Sequence, residues 1–254
     1  MARLADSHVH LDDERFDIDR DAILERARRA DVAMQVIPGT DAASWPRIQA
    51  LCTPGNGLFP AYGMHPMFMH RHRVDDLSTL SHWLATQHPV AVGEIGLDFY
   101  REGHDAQGQR DYFRQQLGLA REFDLPVILH ARAALDEVTT TLRRTGGLRG
   151  VVHSFSGSEE QAEQLWKIGF HLGIGGPVTY DRAQRLRRIV ASMPIEYLLL
   201  ESDAPDQPGT AHRGERNEPS YLPDVLHCIA GLRNEDPGYI AAATTANVQR
   251  LFGI

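Results

Sequence analysis

The stretch Leu4-Ala5-Asp6-Ser7-His8-Val9-His10-Leu11 is the first of eight short apolar runs that together determine the fold. These runs alternate with longer segments in which apolar residues recur at helical spacing. The other seven runs lie at residues 32–38, 58–64, 90–97, 127–130, 151–155, 171–174 and 197–201. Such an alternation is typical of βα units that build a parallel sheet.

Eight βα units in 254 residues match the usual size of a closed (β/α)8 barrel. We therefore predict an α/β fold, a TIM barrel, that forms a single domain over residues 1–254. An open doubly wound sheet is the alternative, but no Gly-x-Gly-x-x-Gly dinucleotide fingerprint follows the first run. Candidate helices lie at residues 20–30, 105–123, 181–191, 220–233 and 239–251.

Charge and composition exclude several classes of protein. The chain has 26 basic and 34 acidic side chains and a net charge of −8, which opposes general electrostatic binding to phosphate backbones or anionic membranes. A nucleic-acid substrate must then be held locally, by metal ions and a few arginines. Helix-turn-helix, RRM and zinc-finger signatures are absent from the sequence, so we expect no sequence-specific DNA binding.

The cysteines and the apolar segments indicate the compartment. Cys52 and Cys228 are far apart and have neither disulfide-framework nor zinc-finger spacing. Residues 1–11 contain no apolar core of a signal peptide, and no segment approaches the roughly 20 apolar residues of a membrane span. We therefore expect a cytoplasmic protein without a membrane partner.

Side chains able to bind metal ions follow several of the apolar runs. In a (β/α)8 barrel the carboxyl ends of the strands meet at one shallow bowl, so residues distant in sequence become neighbours there. A single histidine at a strand end is more often a hydrogen-bonded structural residue than a ligand, but six metal-competent side chains at five strand ends are hard to explain as core packing. The six are His8, His10, Glu94, His130, His153 and Asp203.

The predicted ligand set suits two divalent ions. Residues two apart on a strand point to the same face, so the pattern His8-Val9-His10 can place two imidazoles on one ion. Mixed imidazole and carboxylate ligation favours zinc or manganese and permits magnesium. Six ligands exceed the needs of one tetrahedral ion, and Glu94 lies between the two histidine groups in barrel order. The pattern thus predicts two ions bridged by Glu94.

Several longer motifs give the chain a family resemblance. It resembles the TatD family of metal-dependent hydrolases, which belong to the amidohydrolase-like barrels, along its whole length. The resemblance implies that His8, His10, Glu94 and Asp203 bind one ion, and that Glu94, His130 and His153 bind the other. The motifs are DSHVHLD at residues 6–12, GMHP at 63–66, VGEIGLD at 92–98, LHAR at 129–132, VHSFSG at 152–157, LESDAP at 200–205, RNEP at 216–219 and NVQRLFG at 247–253.

The resemblance also implies an activity. Family members are mostly DNases or phosphodiesterases, some are 3′ to 5′ exonucleases, and some relatives are linked to deacylation of D-aminoacyl-tRNA. We therefore expect a metal-dependent phosphodiesterase with nucleic acid as substrate. The loop after Pro205 reads Asp206-Gln207-Pro208-Gly209 where relatives commonly have an aromatic residue near the start, so the resemblance does not carry over to substrate contacts on this loop.

Roles follow for individual residues. As a hypothesis, Asp203 orients and deprotonates the attacking water, and Glu94 acts with it through the shared ions. His65 and Arg132 are candidate phosphate contacts; the alternatives are a loop histidine and a surface arginine. Glu201 is a candidate partner of a ligand histidine, with a buried ion pair as the alternative. We further expect a loop with Arg213, Arg216, Asn217 and Glu218 to close over the bowl; the alternative is that Glu218, before Pro219, begins the next helix.

Two other functions compete with nucleic-acid hydrolysis. The same ions could hydrolyse an amide or ester in a small molecule or a charged tRNA. A deep apolar cleft favours that reading, whereas an open groove lined by arginines favours a polymer. The other alternative is a non-catalytic binding protein stabilised by metal, against which Glu94 and Asp203 argue because stability alone needs no open site.

Overall fold

The computed structural model describes residues 3–254, in which eight parallel strands form one sheet in the order of the sequence. Every strand is rich in Val, Ile, Leu or Ala and is bounded by a turn or a helix, as expected for strands covered on both faces. The strands are β1 (Leu4–Asp6), β2 (Val32–Pro38), β3 (Leu58–Tyr62), β4 (Ala91–Asp98), β5 (Val127–Arg132), β6 (Gly150–Val152), β7 (Phe170–Ile174) and β8 (Leu198–Leu200).

Nine α-helices within residues 3–254 connect and cover the strands. Three of them start with a side-chain cap; for example, the side chain of Ser158 accepts a hydrogen bond from the amide of Gln161, and Asp236 does the same for Tyr239. The helices are α1 (Arg20–Arg29), α2 (Trp45–Leu51), α3 (Asp76–Gln87), α4 (Ala106–Glu122), α5 (Leu135–Thr145), α6 (Glu159–Trp166), α7 (Gln184–Ser192), α8 (Leu222–Arg233) and α9 (Pro237–Phe252).

The sheet closes between its first and last strands. The Ser7 amide donates to the Leu200 carbonyl at 2.9 Å, and the Asp203 amide donates to the His8 carbonyl at 2.9 Å. The closed barrel confirms the predicted (β/α)8 fold and excludes the open sheet. No helix in the described part of the chain is both long and apolar enough to cross a membrane.

The barrel interior is filled by one apolar residue from each of seven strands. Because strand side chains alternate, Ile128 faces this interior while its neighbours Val127 and Leu129 pack outwards against the helices. Residues of α9 join the same interior cluster. The cluster consists of Ala5, Val36, Ala61, Ala91, Ile128, Val151, Leu199, Val248, Leu251 and Phe252.

The first strand is shorter than predicted. It ends at Asp6, so the prediction that His8 and His10 close this strand was wrong. Beyond Asp6 the backbone bonds alternately to both neighbours: the Val9 amide donates to Val36 at 3.1 Å and the His10 amide to Ala204 at 2.8 Å. This alternation ends the regular ladder while it keeps the segment at the barrel mouth. Likewise β6 ends at Val152, one residue before His153.

The predicted domain of residues 1–254 begins with two residues, Met1 and Ala2, that lie outside the described part of the chain. The predicted helices are present with small shifts at their ends, since α4 spans Ala106–Glu122 and α9 spans Pro237–Phe252. Each shift leaves the alternation of strands and helices unchanged.

Candidate metal centre

The structure brings all six predicted ligands to the carboxyl end of the barrel. There they lie around the carboxylate of Glu94, which is only 1% exposed. A cleft of about 1870 Å³ opens above them and includes His10, Glu94, His130, His153 and Asp203 in its lining. The site is therefore open to solvent on one side and buried on the other.

One carboxylate oxygen of Glu94, Oε2, faces the histidines that follow β1. His8 Nε2 is 3.2 Å from this oxygen and His10 Nε2 is 3.6 Å from it. The two imidazole nitrogens are 3.1 Å apart, and Oδ1 of Asp203 lies 3.6 Å from His8 Nε2 and 3.8 Å from His10 Nε2. Four donor atoms thus converge on one small volume.

The other oxygen of Glu94, Oε1, faces a second group of histidines. His153 Nε2 is 2.8 Å from it, His65 Nε2 is 2.9 Å and His130 Nδ1 is 3.1 Å. His130 Nδ1 and His153 Nε2 are 3.3 Å apart. Glu94 therefore stands between two separate clusters of nitrogen atoms, one on each oxygen.

An irregularity in β4 positions the Glu94 side chain. The pairing of β4 with β5 shifts register between Val92 and Ile95, and such irregularities re-aim side chains beside active sites. Gly93 packs against Ile128 so closely that a Cβ there would lie 2.6 Å from the Ile128 Cβ. A glycine is therefore needed for β4 to approach β5 at this point.

Several ionisation states in the cluster favour cation binding. Burial would raise the pKa of Glu94, but His153, His65 and His8 hold it well below the ordinary value. Burial and the neighbouring His153 lower the pKa of His8 well below its ordinary value. A charged carboxylate beside a neutral imidazole is the form in which these groups bind a metal ion.

Other members of the cluster hold protons more tightly. Burial lowers the pKa of His153, but the charge and hydrogen bond of Glu94 raise it to about 10. Asp98 and Glu94 likewise overcome burial and raise the pKa of His130. Burial raises the pKa of Asp203, although His153 and His10 oppose the shift. A cation entering this half of the site would displace protons from the histidines.

The donor atoms fit divalent ions in number, type and spacing. Ligands of a tetrahedral ion with bonds of about 2.0–2.1 Å lie about 3.3 Å apart. The contacts of 3.1–3.8 Å around Oε2 of Glu94 and of 2.8–3.3 Å around Oε1 agree with this spacing. His8, His10 and Glu94 form one group of potential ligands, and His65, Glu94 and His130 form another.

Sequence reasoning did not assign a role to Asp98, which supports a candidate ligand. Its Oδ2 lies 2.9 Å from Nε2 of His130, while Nδ1 of the same ring faces Glu94. Carboxylates commonly orient metal-binding histidines in this way. The signal was present in the motif VGEIGLD, since Asp98 is four residues after Glu94 on the same strand.

Two further residues that were not predicted hold Asp203 and its loop. The carboxylate of Asp6 accepts from the Ser202 amide at 2.9 Å and from the Ser202 hydroxyl at 2.6 Å. Gln207 donates from its side-chain amide to Oδ2 of Asp203. Because Oδ2 is occupied in this way, Oδ1 of Asp203 is turned towards His8 and His10.

His65 has a defined tautomer that separates it from the ligands. Its Nδ1 accepts a hydrogen bond from the Met67 amide at 3.0 Å, and a backbone N–H can only donate. Burial lowers the pKa of His65 to about 4 although Glu94 opposes this shift, so the ring is neutral. The proton must therefore be on Nε2, which makes His65 a hydrogen-bond donor into the site.

Glu201 is fully buried, whereas Arg132 lies at the rim of the cleft. Oε1 of Glu201 is 3.8 Å from His153 Nδ1, beyond hydrogen-bond distance, and accepts from the Ser154 amide instead. Burial raises the pKa of Glu201 to about 8, against the effect of His153. Arg132 lines the cleft at its rim, with its guanidinium carbon 3.7 Å from the centre of the Tyr100 ring.

The loop expected to close over the bowl is bound elsewhere. None of Arg213, Arg216, Asn217 and Glu218 lines the cleft. Arg216 pairs with Asp19 at 2.6 Å, and Glu218 accepts a bidentate contact from Arg26 of α1 at 2.6 and 2.9 Å. The expectation that this loop closes over the bowl was wrong, because Arg216 and Glu218 are held by Asp19 and Arg26 outside the cleft. Glu218 instead directly precedes the short helix that starts at Pro219, which agrees with the alternative.

The cleft is open and rich in arginine. Three of its seven arginines, Arg15, Arg47 and Arg71, are paired with aspartates. The other four form no ion pair within residues 3–254, namely Arg73, Arg132, Arg182 and Arg185. Unpaired arginines in an open groove favour an extended anionic substrate over a small apolar one.

Comparison with known proteins places these residues in a family context. Residues 5–253 match the family described as TatD related DNase. The chain is 38% identical to the Escherichia coli protein named uncharacterized metal-dependent hydrolase YjjV, covering 100% of this chain and 99% of that protein. It is 35% identical to a Klebsiella pneumoniae protein named 3′-5′ ssDNA/RNA exonuclease TatD, over 98% of this chain and 97% of that protein.

The fold agrees closely with a solved relative. The crystal structure of the E. coli TatD homologue YjjV superposes with a TM-score of 0.96 at 37% identity, covering 100% of this chain and 99% of that one. The Entamoeba histolytica hydrolase of the TatD family, at 20% identity and a TM-score of 0.86, has the same fold.

Proposed function

The chain belongs to the TatD related DNase family of metal-dependent hydrolases, and from that membership we propose that it is a two-metal phosphodiesterase acting on single-stranded DNA from the 3′ end. The observation that carries this proposal is that the two carboxylate oxygens of Glu94 face different histidines: one faces His8 and His10, and the other faces His130 and His153. A carboxylate shared by two groups of donors is suited to two ions that bind one phosphate.

The proposed ligand sets follow the two clusters. His8, His10, Asp203 and Oε2 of Glu94 would hold one ion, and His130, His153 and Oε1 of Glu94 the other, with zinc, manganese or magnesium as the candidate metals. When bound, such ions lower the pKa of water and offset negative charge on the phosphate oxygens.

Asp203 is the proposed proton acceptor. Its Oδ2 is held by Gln207, and its Oδ1 points to the same volume as the imidazoles of His8 and His10. Burial raises its pKa, which increases the affinity of the carboxylate for the proton that it takes from the attacking water. Its position and its raised pKa both support a role as acceptor of the proton from water.

His65 and Arg132 are the proposed phosphate contacts. The Nε2–H of His65 lies 2.9 Å from Oε1 of Glu94, and once an ion occupied that oxygen this neutral donor would be free to bind a non-bridging phosphate oxygen. The side chain of Arg132 forms no hydrogen bond or ion pair with residues 3–254, so its N–H groups are free to bind a phosphate at the rim.

The open cleft favours a polymer over a small amide or ester. Four arginines without carboxylate partners line it: Arg132 at the end of β5, Arg73 and Arg182 on the loops after β3 and β7, and Arg185 in the first turn of α7. These four side chains offer positive charge to a phosphate backbone at the cleft, whereas the net charge of −8 opposes nucleic-acid binding over the surface as a whole. The 3′ direction and the single-stranded substrate follow the name of the Klebsiella pneumoniae 3′-5′ ssDNA/RNA exonuclease TatD, and the choice of DNA follows the family description, TatD related DNase.

The test combines metal content with cleavage. Wild type and the Glu94→Gln and Glu94→Ala variants are assayed with 5′-labelled single-stranded DNA and with methyl 4-nitrophenyl phosphate, in magnesium, manganese and zinc. We expect about two equivalents of metal and a 3′ ladder of products for wild type, and loss of both in the variants. Two equivalents of metal without cleavage of either substrate would overturn the phosphodiesterase proposal and point to amides or esters.

A further inference from the structure

Tyr100 is an exposed aromatic residue at the rim of the cleft. It follows β4 by two residues and its side chain is 64% exposed. Its backbone amide donates to Oδ1 of Asp98 at 3.0 Å, so the loop is tied to the carboxylate that contacts His130. The backbone at Tyr100 is therefore held by the same residue that supports a candidate ligand.

Arg132 lies between this ring and the cleft. It is two residues after His130 on β5, so both side chains point to the barrel mouth, with Arg132 one step nearer to solvent. Arg132 lines the cleft whereas Tyr100 does not, and the guanidinium carbon is 3.7 Å from the ring centre. One face of the guanidinium covers the ring, and Tyr100 leaves the opposite face uncovered.

The stack on Tyr100 leaves two parts of the Arg132 guanidinium available to a ligand: its N–H groups and its second face. A guanidinium that stacks on an aromatic ring keeps its N–H donors in its own plane, and its second face can receive another flat group. Nucleobases bind proteins in this manner, on aromatic rings and on arginine planes. Tyr100 holds the plane of Arg132 in place before a ligand arrives, which reduces the cost of ordering it.

We propose that Tyr100 and Arg132 form a nucleobase-stacking subsite beside the half of the centre that contains His130 and His153. The proposal rests on the proposed function, since it assigns the base next to the bound phosphate of a single-stranded substrate. The base stacks on the outer face of the Arg132 guanidinium, and Tyr100 supports that guanidinium from behind. A purely structural role for the pair would stabilise the loop after β4 without any preference for a base.

The experiment compares two ligands that differ only in the base. Thymidine 5′-monophosphate and 2-deoxyribose 5-phosphate are titrated by calorimetry into manganese-loaded wild type and variants, so that no turnover is needed. We expect wild type to bind the nucleotide about tenfold more tightly, within the range for one base–aromatic stack. Tyr100→Ala should remove this preference and leave the affinity for the sugar phosphate within about twofold of wild type.

Three variants serve as controls. Tyr100→Phe keeps the ring and should keep the preference. Arg132→Lys keeps the charge without the plane and should lose it while still binding the sugar phosphate. Tyr239→Ala removes a tyrosine that is 51% exposed on α9, away from the cleft lining, and should leave both affinities unchanged.

The outcomes separate this inference from the proposed function. Equal affinity of wild type for the two ligands, or an unchanged preference in Tyr100→Ala, overturns the stacking subsite even if DNA is cleaved. Lack of cleavage of every phosphodiester overturns the proposed function, and the calorimetric preference then still decides whether a base binds at Tyr100 and Arg132.

Discussion

The carboxylate of Asp98 lies 2.9 Å from Nε2 of His130, and the other nitrogen of the same ring lies 3.1 Å from Glu94. Asp98 is 3% exposed, and its other oxygen, Oδ1, accepts a hydrogen bond from the Tyr100 amide at 3.0 Å. Because a proton on Nε2 leaves the lone pair on Nδ1 free, Asp98 selects the tautomer in which His130 can bind an ion beside Glu94. The pair is therefore a determinant of metal affinity.

Removing this carboxylate should weaken metal binding. We expect Asp98→Ala to lower the affinity for the second ion about 10- to 100-fold, as for other outer partners of metal-binding histidines. Asp98→Asn, which still accepts a hydrogen bond, should lie between Ala and wild type. Competition with a metal chelator measures the affinity, and an Asp98→Ala protein with wild-type affinity for both ions would contradict this role.

His65 should affect turnover without affecting metal content. Its Nδ1 accepts from the Met67 amide, so Nε2 carries the proton and acts as a donor. We expect His65→Phe to lower kcat about 10²- to 10³-fold, the usual effect of removing one donor to developing charge. Elemental analysis should still find the wild-type amount of metal. Loss of one equivalent in the variant would instead make His65 a ligand.

Asp203→Asn should separate proton transfer from substrate binding. The side-chain oxygen of the new amide can still accept the hydrogen bond from Gln207, but the amide cannot accept a proton from water. We therefore expect kcat to fall about 10²- to 10⁴-fold, with KM changed far less. Steady-state kinetics with a single phosphodiester give both constants. A variant that contains metal and retains full kcat would exclude Asp203 as the proton acceptor.

The contact between Arg26 and Glu218 should make part of the stability depend on pH. Glu218 is 5% exposed; burial tends to raise its pKa, but Arg26 and Ser220 lower it below the ordinary value. A lowered folded pKa means that the contribution is complete above the unfolded value of about 4.3 and is lost as pH falls through the folded value. At pH 7, Glu218→Gln should destabilise the fold by about 1.5–3 kcal/mol.

Urea unfolding of wild type and Glu218→Gln between pH 7 and pH 3.5 measures this difference. The difference in free energy of unfolding between the two proteins should shrink as the pH falls. It should also be smaller when both proteins carry Arg26→Met. A difference that is constant across the pH range would show that packing of Glu218, rather than its charge, is responsible.

Much of the fold could be predicted because its signal is local. The run at residues 32–38 coincides with β2, and the breakers between runs mark the loops. Strand ends were less predictable. The run continues to Leu11 in the sequence, but the backbone after Asp6 bonds alternately to the last strand or the loop after it and to the second strand, so the ladder of β1 stops at Asp6. That choice depends on neighbours almost 200 residues away.

The sequence by itself determined the alternation of strands and helices, and it indicated which side chains would gather around Glu94, because the order of strands in a barrel brings their carboxyl ends together. Only the tertiary structure decided how each group is used. The Met67 amide makes His65 a donor, Asp98 directs Nδ1 of His130 inwards, and α1 draws Glu218 away from the bowl. Hydrogen bonds and ion pairs between residues far apart in the chain are set by distances of a few tenths of an ångström, and residue order alone does not encode such distances.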